Sequence, residues 1–521
     1  MQDARILWAD DEIDLLKPQI LFLEQKGLQV ESVTNALDAI DWVSRDEFDL
    51  IFLDENMPGM SGLEALTEIK ALKPHIPIVM ITKSEEEHIM ENAIGSKISD
   101  YLIKPINPNQ ILSSVKKLLS GKTLVSQRLN MGYQQDFRNI GMAFFDDMSL
   151  EQWYDIYRKL VYWEIELSTS EDKSMVEVLQ AQKLEANVNF SKTVIQNYTD
   201  WLSLPKDERP LISPDLLEKR VFPHISTQSH SLFFILVDCL RYDQWKVFEG
   251  ILADYYVIDK EECYLSIVPT ATQYARNAIF SGLFPDQIVE KFPKYWVGDD
   301  EEGGKNLHEA DFLQELIVRN RLNIKQSYTK VITADDSKQL TDNFLNLMHN
   351  DLNVVVVNFI DLIAHARSEM NIIRELAPDE AGLRSLTRSW FEHSGLLSFL
   401  KKLKEHKIKI ILSTDHGSIR VKRPVKIIGD RNTTTNLRYK HGRNLNYDEK
   451  SRQIFTIRNP SEARLPKSTV SGTYAFTTED CFFVYPNNYN YYVNYYRDTF
   501  QHGGVSMEEM IVPLVYMSPK S

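Results

Sequence analysis

Seven residues downstream of position 230 are of types that bind divalent cations or act as nucleophiles, and each sits beside an apolar run. They are Asp238 after SLFFILV, Thr272 in VPTAT, Asp361 and His365 in DLIAH, Asp415 and His416 in STDHG, and His502 in FQHGG. An apolar strand ending in an acid or imidazole delivers that side chain to the carboxyl edge of a parallel sheet, where open α/β folds build their sites. Brought together, these groups can hold two divalent cations about 4 Å apart with a hydroxyl aimed between them, an arrangement suited to in-line phosphoryl transfer. Carboxylates alone would favour Mg²⁺ or Ca²⁺, whereas aspartate mixed with histidine suits Zn²⁺ or Mn²⁺.

Spacing divides the seven into two ligand sets. Asp361 and His365 are four apart, so a helix beginning at the strand end lets both face one ion, and His502 completes a three-ligand site with an open position. Asp415, His416 and Asp238 form the other. A cation there lowers the pKa of a bound hydroxyl, which makes Thr272 the candidate nucleophile, with Thr270 as the alternative. Gly417, Gly503 and Gly504 allow the backbone to bend sharply beside the ligands. His308, His349, His393 and His441 lack strand-end placement and read as surface residues.

A second concentration of charge lies near the N-terminus. The runs RILWA, VESVT, FDLIFL, IPIVMIT and DYLIK alternate with amphipathic segments, which predicts a parallel sheet with helices on both faces. Asp10 and Asp11 follow the first run, Asp54 ends the third, Thr82 follows the fourth and Lys104 the fifth. Three carboxylates converging on one edge repel unless Mg²⁺ sits among them. A lysine and a hydroxyl nearby can hold the oxygens of a phosphoryl group added to Asp54.

Between these regions the strand pattern stops. SLEQWYDIYRKLVYWEIELS opens with a capping box, Ser149 to Gln152, and puts Trp153, Ile156, Tyr157, Leu160 and Trp163 on one helical face. That stripe reads as core. A second long helix is expected from Ser168, with Glu171 completing its box, toward Trp201, and four prolines punctuate 203–223. No basic recognition helix is present, so a DNA-binding output is not expected. From 229 the strands resume at SLFFILV, YLSIV, KVIT, NVVVVNFI, IKIILS, CFFVY and IVPLVY. The expected fold class is α/β throughout except for an all-α middle: a doubly wound domain at 1–121, a helical bundle linker at 122–225 and one large α/β domain at 226–521.

At 521 residues the chain exceeds a single hydrophobic core. Three cysteines without CxxC spacing fit a reducing compartment, and the acidic, then apolar start is not a secretory signal. No apolar run reaches membrane-spanning length, so a cytoplasmic protein without membrane insertion is expected. A net charge of −15 argues against a general nucleic-acid coat. Locally, residues 420–443 hold eight Lys or Arg and one acid; this run is either a solvated loop or a clamp for an extended phosphate substrate.

The segments ADDE, LDENMPGMSGLE and IKP resemble the receiver domain of bacterial response regulators, with a CheY-like fold. The resemblance implies Asp54 as phospho-acceptor and Mg²⁺ held by Asp10, Asp11, Asp54 and the Asn56 carbonyl. It also implies Lys104 before a cis-proline and Thr82 with Tyr101 as the switch pair. The C-terminal motifs resemble the alkaline phosphatase superfamily: Asp238 to Arg241 matches D-x-x-R, and Thr272 lies ten residues before Gly282 of SGLFP. DLIAH matches D-x-x-G-H with alanine at the glycine, and STDHG supplies D-H-G. That likeness implies two Zn²⁺, one on Asp361, His365 and His502, the other on Asp238, Thr272, Asp415 and His416. The asparagine expected three residues after the nucleophile is Ala275 here, leaving Asn277 or Arg276 as candidate substrate contacts. The whole layout resembles the PorX-type response regulators of type IX secretion, whose output is a PglZ domain.

Two functional expectations follow. One is a regulator phosphorylated on Asp54 by a sensor histidine kinase, controlling a zinc-dependent phosphodiesterase or phosphatase that acts on a phosphoester or oligonucleotide, through a phosphorylation-dependent homodimer. The other is a non-catalytic, zinc-stabilised scaffold that binds a sigma factor or secretion-system component.

Overall fold

Continuous apolar runs of five or six residues form strands buried on both faces, as parallel sheets require. The computed structural model describes residues 4–520 apart from 75, 84–97, 146, 169–172, 226–230, 300, 302, 364–374, 431–432, 449–450 and 468–471, with the side chains of 119–131 also left aside. The chain divides into two units, Met1–Gln134 and Gln135–Ser521.

In the first unit, β1 (Arg5–Ala9), β2 (Gln29–Val33), β3 (Leu50–Asp54), β4 (Ile78–Thr82) and β5 (Asp100–Ile103) pair in parallel in the order β2-β1-β3-β4-β5. All five runs expected from the sequence are strands. The order reverses between β1 and β3, so Asp10 and Asp54 emerge at the topological switch point. Gly62 opens the helix Gly62–Leu72, capped by a Ser61–Glu64 box. A Cβ on Gly62 would stand 2.2 Å from the Asp54 carbonyl oxygen; only glycine lets this helix start against the end of β3.

The second unit centres on a six-stranded mixed sheet. Strands β6 (Leu232–Val237), β7 (Tyr256–Leu265), β8 (Gln326–Val331), β9 (Leu352–Val357) and β10 (Ile410–Ser413) join the C-terminal strand Ile511–Pro519 in the order β7, C-terminal strand, β10, β6, β9, β8. The four strands β10, β6, β9 and β8 run parallel, while the C-terminal strand is antiparallel to both β10 and β7. Because β6, β9 and β10 are adjacent and parallel, the residues after them share one carboxyl edge. Three details differ from the sequence reading. The edge strand β7 starts at Tyr256, where alternating polar residues face solvent, and stops before Ser266. The KVIT run contributes only its first two residues, Lys330 and Val331, to β8. CFFVY lies outside the main sheet: Cys481–Val484 pairs with Arg423–Lys426.

The helical middle forms Leu150–Ser168 and Lys173–Ser203. The Ser149–Gln152 box closes in both directions. Trp153, Ile156, Tyr157, Leu160 and Trp163 are all buried, so the aromatic stripe is core. Ser168 ends the first helix, donating to the Ile165 carbonyl, and the second box expected there rests on Glu171, which lies outside the described residues. Both helices pack within the same unit as the mixed sheet, through contacts such as Tyr157 on Tyr242 at 5.8 Å between ring centroids. Among the described residues no helix is long and apolar enough to cross a membrane, and all three cysteines are buried and unpaired.

Candidate functional site

The carboxyl edge of the mixed sheet gathers six of the seven expected side chains. Asp238 follows β6, Asp415 and His416 follow β10, and one ligand atom from each lies within 4.8 Å of the others. The backbone fixes this convergence: Cys239, in the left-handed region at φ 61°, donates its N–H to Asp415 Oδ1 at 3.2 Å, and Leu240 N–H donates to Thr414 Oγ1. Thr272 sits at the first turn of the helix Thr272–Ser281 rather than at a strand end. Its hydroxyl is 3.4 Å from Asp238 Oδ1 and 3.2 Å from His416 Nε2, and the positive end of that helix lies beside it.

Each histidine is held through one nitrogen. His416 Nδ1 donates to the Gly417 carbonyl at 3.0 Å, and His502 Nδ1 donates to the Thr270 carbonyl at 3.1 Å. A carbonyl only accepts, so both Nδ1 atoms carry a proton and Nε2 is the nitrogen of each ring that would face a cation, the usual tuning of a histidine ligand. His502 Nε2 is 3.6 Å from Asp361 Oδ1, and the two imidazoles stack at 4.4 Å between centroids. Asp361, in the helical turn 359–363 after β9, exerts its charge on Asp238, Asp415 and His416. His365 lies outside the described residues. His502 follows the two-residue strand Phe500–Gln501, off the main sheet.

The electrostatics are those of a cation site. Burial pushes the Asp238 and Asp415 carboxyls up; Arg276 opposes this, and neighbouring carboxylates add to it. Burial holds His416 below its ordinary value, hence neutral. Asp415 Oδ2 is fully buried and accepts no hydrogen bond, a costly arrangement unless a cation satisfies it. The buried oxygen and the two poised Nε2 atoms fit metal ligation by Asp238, Asp415 and His416, with Asp361 and His502 alongside.

The two candidate substrate contacts are engaged elsewhere. Arg276, fully buried, forms ion pairs with Asp238 Oδ2 at 2.9 Å and Glu309 Oε1 at 2.6 Å. Asn277 donates to the Lys305 carbonyl and accepts from Asn306, whose amide also reaches the Thr272 carbonyl. Their positions on the inward face of a buried helix explain this: four residues from Thr272, Arg276 points back under the site. Thr270 is also fully buried, donating to Gly504 O and accepting from Gly503 N–H, whereas Thr272 is partly accessible.

Four of the eight basic residues in the run 420–443 are engaged within the fold. Arg420 pairs with Glu380 and Asp498, Arg423 with Glu479 and Asp480, and fully buried Arg438 with Glu509. Lys440 is buried and donates to the Thr434 carbonyl. His441 is likewise buried, stacked on Tyr474 at 4.0 Å; the sequence placed it on the surface because its strand partner lies more than thirty residues away. Glu309, which accepts from Arg276, Tyr328 and Lys330, had no sequence signal of its own.

In the first unit Asp10, Asp11 and Asp54 offer ligand atoms within 4.8 Å of one another. Lys104 Nζ reaches Asp10 and Asp54, each at 2.9 Å, and the Lys104–Pro105 bond is cis. Asp11 and Asn56 are exposed. Thr82 is buried and donates to Glu55, while Tyr101 on the adjacent strand is 41% exposed. Burial raises the Asp54 pKa against the opposing pull of Lys104.

Comparison with known proteins decides the classification. The family model described as the BREX system PglZ alkaline phosphatase-like domain matches residues 216–517. The chain belongs to the PglZ family. Ahead of the PglZ portion, the response regulator receiver domain matches residues 6–116 and the PorX response regulator linker domain matches 123–202. The architecture is therefore PorX-type: a CheY-like receiver, a helical linker and a PglZ phosphatase-like output. The cyclic di-GMP phosphodiesterase response regulator RpfG of Xanthomonas campestris is 37% identical over 94 residues, 18% of this chain and 25% of that protein. The transcriptional regulatory protein ResD of Bacillus subtilis is 32% identical over 117 residues, 22% of this chain and 48% of that protein. The chain thus spans less than half the length of these curated relatives. A CheY-like receiver structure from Methanospirillum hungatei is 27% identical, with a TM-score of 0.22, covering 23% of this chain and 94% of that one.

Proposed function

We propose that this PglZ-family regulator is a phosphorylation-controlled phosphodiesterase or phosphatase, with Thr272 as nucleophile and two Zn²⁺ at the edge of the mixed sheet. The observation that carries it is the Thr272 hydroxyl, placed 3.2 Å from His416 Nε2 and 3.4 Å from Asp238 Oδ1 at a helix N-terminus. Asp238, Asp415 and His416 would hold one cation, and Asp361, His502 and His365 the other. When bound, such cations lower the hydroxyl pKa and neutralise phosphoryl oxygens. Thr272 Oγ then displaces the ester oxygen at phosphorus, and water cleaves the resulting phosphothreonine to regenerate the hydroxyl. Asp238 and His416 keep the hydroxyl oriented for in-line attack, and the helix N-terminus offers partial positive charge to the phosphate where Ala275 cannot.

In the same reading residues 1–121 regulate, 122–225 connect and 226–521 act. A sensor histidine kinase phosphorylates Asp54, with Mg²⁺ on Asp10, Asp11, Asp54 and the Asn56 carbonyl. Lys104 pairs with the phosphoryl group, and Thr82 and Tyr101 report it. Control of type IX secretion, from the cytoplasm and through phosphorylation-dependent dimerisation, rests on the match of 123–202 to the PorX linker. Oligonucleotides are one phosphoester class to include as substrates. A zinc-stabilised scaffold for a sigma factor or secretion component is the second reading; it is favoured by Arg276, a built-in cation that already neutralises Asp238.

Hydrolysis of mono- and bis-p-nitrophenyl phosphate by wild type, Thr272→Ala and Asp54→Ala, with and without Zn²⁺, separates the two. Zinc-dependent turnover lost in Thr272→Ala is expected; absence of turnover, or turnover indifferent to that substitution, rejects the enzyme. Light scattering with beryllofluoride added should show a doubled mass.

A further inference from the structure

The helix Lys173–Ser203 buries polar side chains on the face where apolar ones would pack at no cost. Ala186, Phe190, Val194 and Leu202 on that face are buried, and so are Asn187, Ser191 and Tyr198. A buried polar group is costly without a partner, and each of these three is spent on a segment that carries the candidate centre. The Tyr198 hydroxyl accepts from Val268 N–H at 2.9 Å, four residues before Thr272. Asn187 accepts from Met507 N–H at 2.9 Å and donates to Glu508 Oε2 at 2.9 Å, in the turn just after His502. Ser191, between them on the helix, donates to the Val505 carbonyl at 3.5 Å.

That second turn is also the floor of the ligand pair from β10. Gly417 N–H donates to the Glu509 carbonyl at 3.0 Å, and a Cβ on Gly417 would stand 2.0 Å from the Glu508 carbonyl oxygen. Moving the 505–509 turn therefore moves His502 on one side and presses on the Asp415–His416 segment on the other. A chain of buried charges makes a third tie. Glu508 pairs with Lys183 at 3.6 Å, Lys183 with Glu164, Glu164 with Arg384 at 3.0 Å, and Arg384 with Asp243 at 3.1 Å. Asp243 holds Arg241, three residues from Asp238. Asn187 and Tyr198 are eleven residues apart, about 16 Å along one rigid helix. That span fixes the spacing between the nucleophile turn and the histidine turn.

We propose that the helix Lys173–Ser203 is a positioning element of the PglZ centre, with Tyr198 setting the Val268–Thr272 turn and Asn187 setting the turn that aims His502. This inference deepens the proposed function and rests on it for its kinetic consequence. The geometry of the centre is then a property of the linker as much as of the PglZ fold, and a force applied to the linker helices is applied to the nucleophile and the ligands together.

The test uses the full-length chain with Tyr198→Phe, which removes one oxygen and keeps the ring, Asn187→Ala, and Gln196→Ala on the exposed face of the same helix as control. Zinc-dependent hydrolysis of bis-p-nitrophenyl phosphate and hydrogen–deuterium exchange of the peptides covering 265–272 and 502–510 are measured on each. The expected result is a fall in kcat of about tenfold in Tyr198→Phe and Asn187→Ala with KM within twofold, as small misplacements of reacting groups produce. Exchange should quicken in 265–272 for Tyr198→Phe and in 502–510 for Asn187→Ala, and nowhere else; Gln196→Ala should match wild type. Wild-type kcat in both variants overturns the inference while leaving the proposed activity standing. If wild type itself shows no turnover, the activity fails, and exchange alone decides: quickening confined to those peptides sustains the positioning role, and unchanged or uniformly altered exchange overturns it.

Discussion

The receiver and the PglZ centre both place acids after parallel strands, yet they neutralise them in opposite ways. In the receiver, Asp10 and Asp54 share the Lys104 ammonium, a point charge on a flexible stem that keeps 12% exposure, and Asp11 remains open to solvent. In the PglZ centre, Asp238 is pinned by the planar guanidinium of Arg276, itself buried and tied to Glu309, and both mapped histidines are locked through Nδ1. A lysine on a long stem can trade a carboxylate for a phosphoryl oxygen and back, which suits a modification that comes and goes. A buried arginine and fixed imidazoles hold one geometry at all times, which suits a resident cation and a repeated reaction.

The sharpest way to break this comparison is a double dissociation. Thr272→Ala should lower phosphoester turnover by about a thousandfold or more, as loss of a nucleophile does, while Asp54 still takes up phosphate from acetyl phosphate. Asp54→Asn should abolish that phosphorylation and leave the PglZ ligands intact, measured as unchanged zinc content. Loss of Asp54 phosphorylation in Thr272→Ala, or of zinc in Asp54→Asn, would mean that the two clusters are not separate sites.

Next in size is the arginine. Arg276→Ala would leave Asp238 and Glu309 buried without their shared cation, a change that costs about 3–5 kcal/mol in comparable buried pairs. A thermal-unfolding midpoint lowered by several degrees is expected, and zinc should recover part of the loss by taking over the charge on Asp238. The matching receiver substitution, Lys104→Ala, should cost less stability, because the Lys104 side chain is 12% exposed against 1% for Arg276. Equal losses would erase the distinction between a movable and a fixed cation.

This contrast also explains what the sequence could show. The receiver fold was legible because its acids sit at the ends of short, regular strands, and each strand announces itself by an apolar run. The strand-end placement of Asp238, Asp361 and Asp415 was legible for the same reason. The partners of Arg276 and Asn277 within the fold were not legible, because nearness to Thr272 in sequence does not say which way a buried helix turns them. The partners of Arg276, Asp238 and Glu309, lie tens of residues away. Likewise, the run from 420 to 443 could be read as a solvated loop or a clamp, since the acids that pair with Arg420, Arg423 and Arg438, namely Glu380, Glu479, Asp480, Asp498 and Glu509, are distant in the chain. Charge density is visible in one dimension; charge pairing is not.

Lys440 in that same run gives the smallest and most specific effect. It is buried, donates to the Thr434 carbonyl and lies 4.7 Å from the Tyr485 ring centroid, and burial lowers its pKa to about 7. In the unfolded chain the ordinary value is 10.5. Between these two limits the unfolded state binds the extra proton, so stability gained from this group rises with pH at about 1.4 kcal/mol per unit, and below the folded value the gain is absent. Lys440→Met removes the titration and keeps the aliphatic stem. Thermal midpoints measured from pH 7 to pH 9 should rise more steeply in wild type than in Lys440→Met, and the variant should be the more stable of the two at pH 7. Parallel curves would mean that Lys440 stays charged in the folded protein, held by the Thr434 carbonyl and the Tyr485 ring.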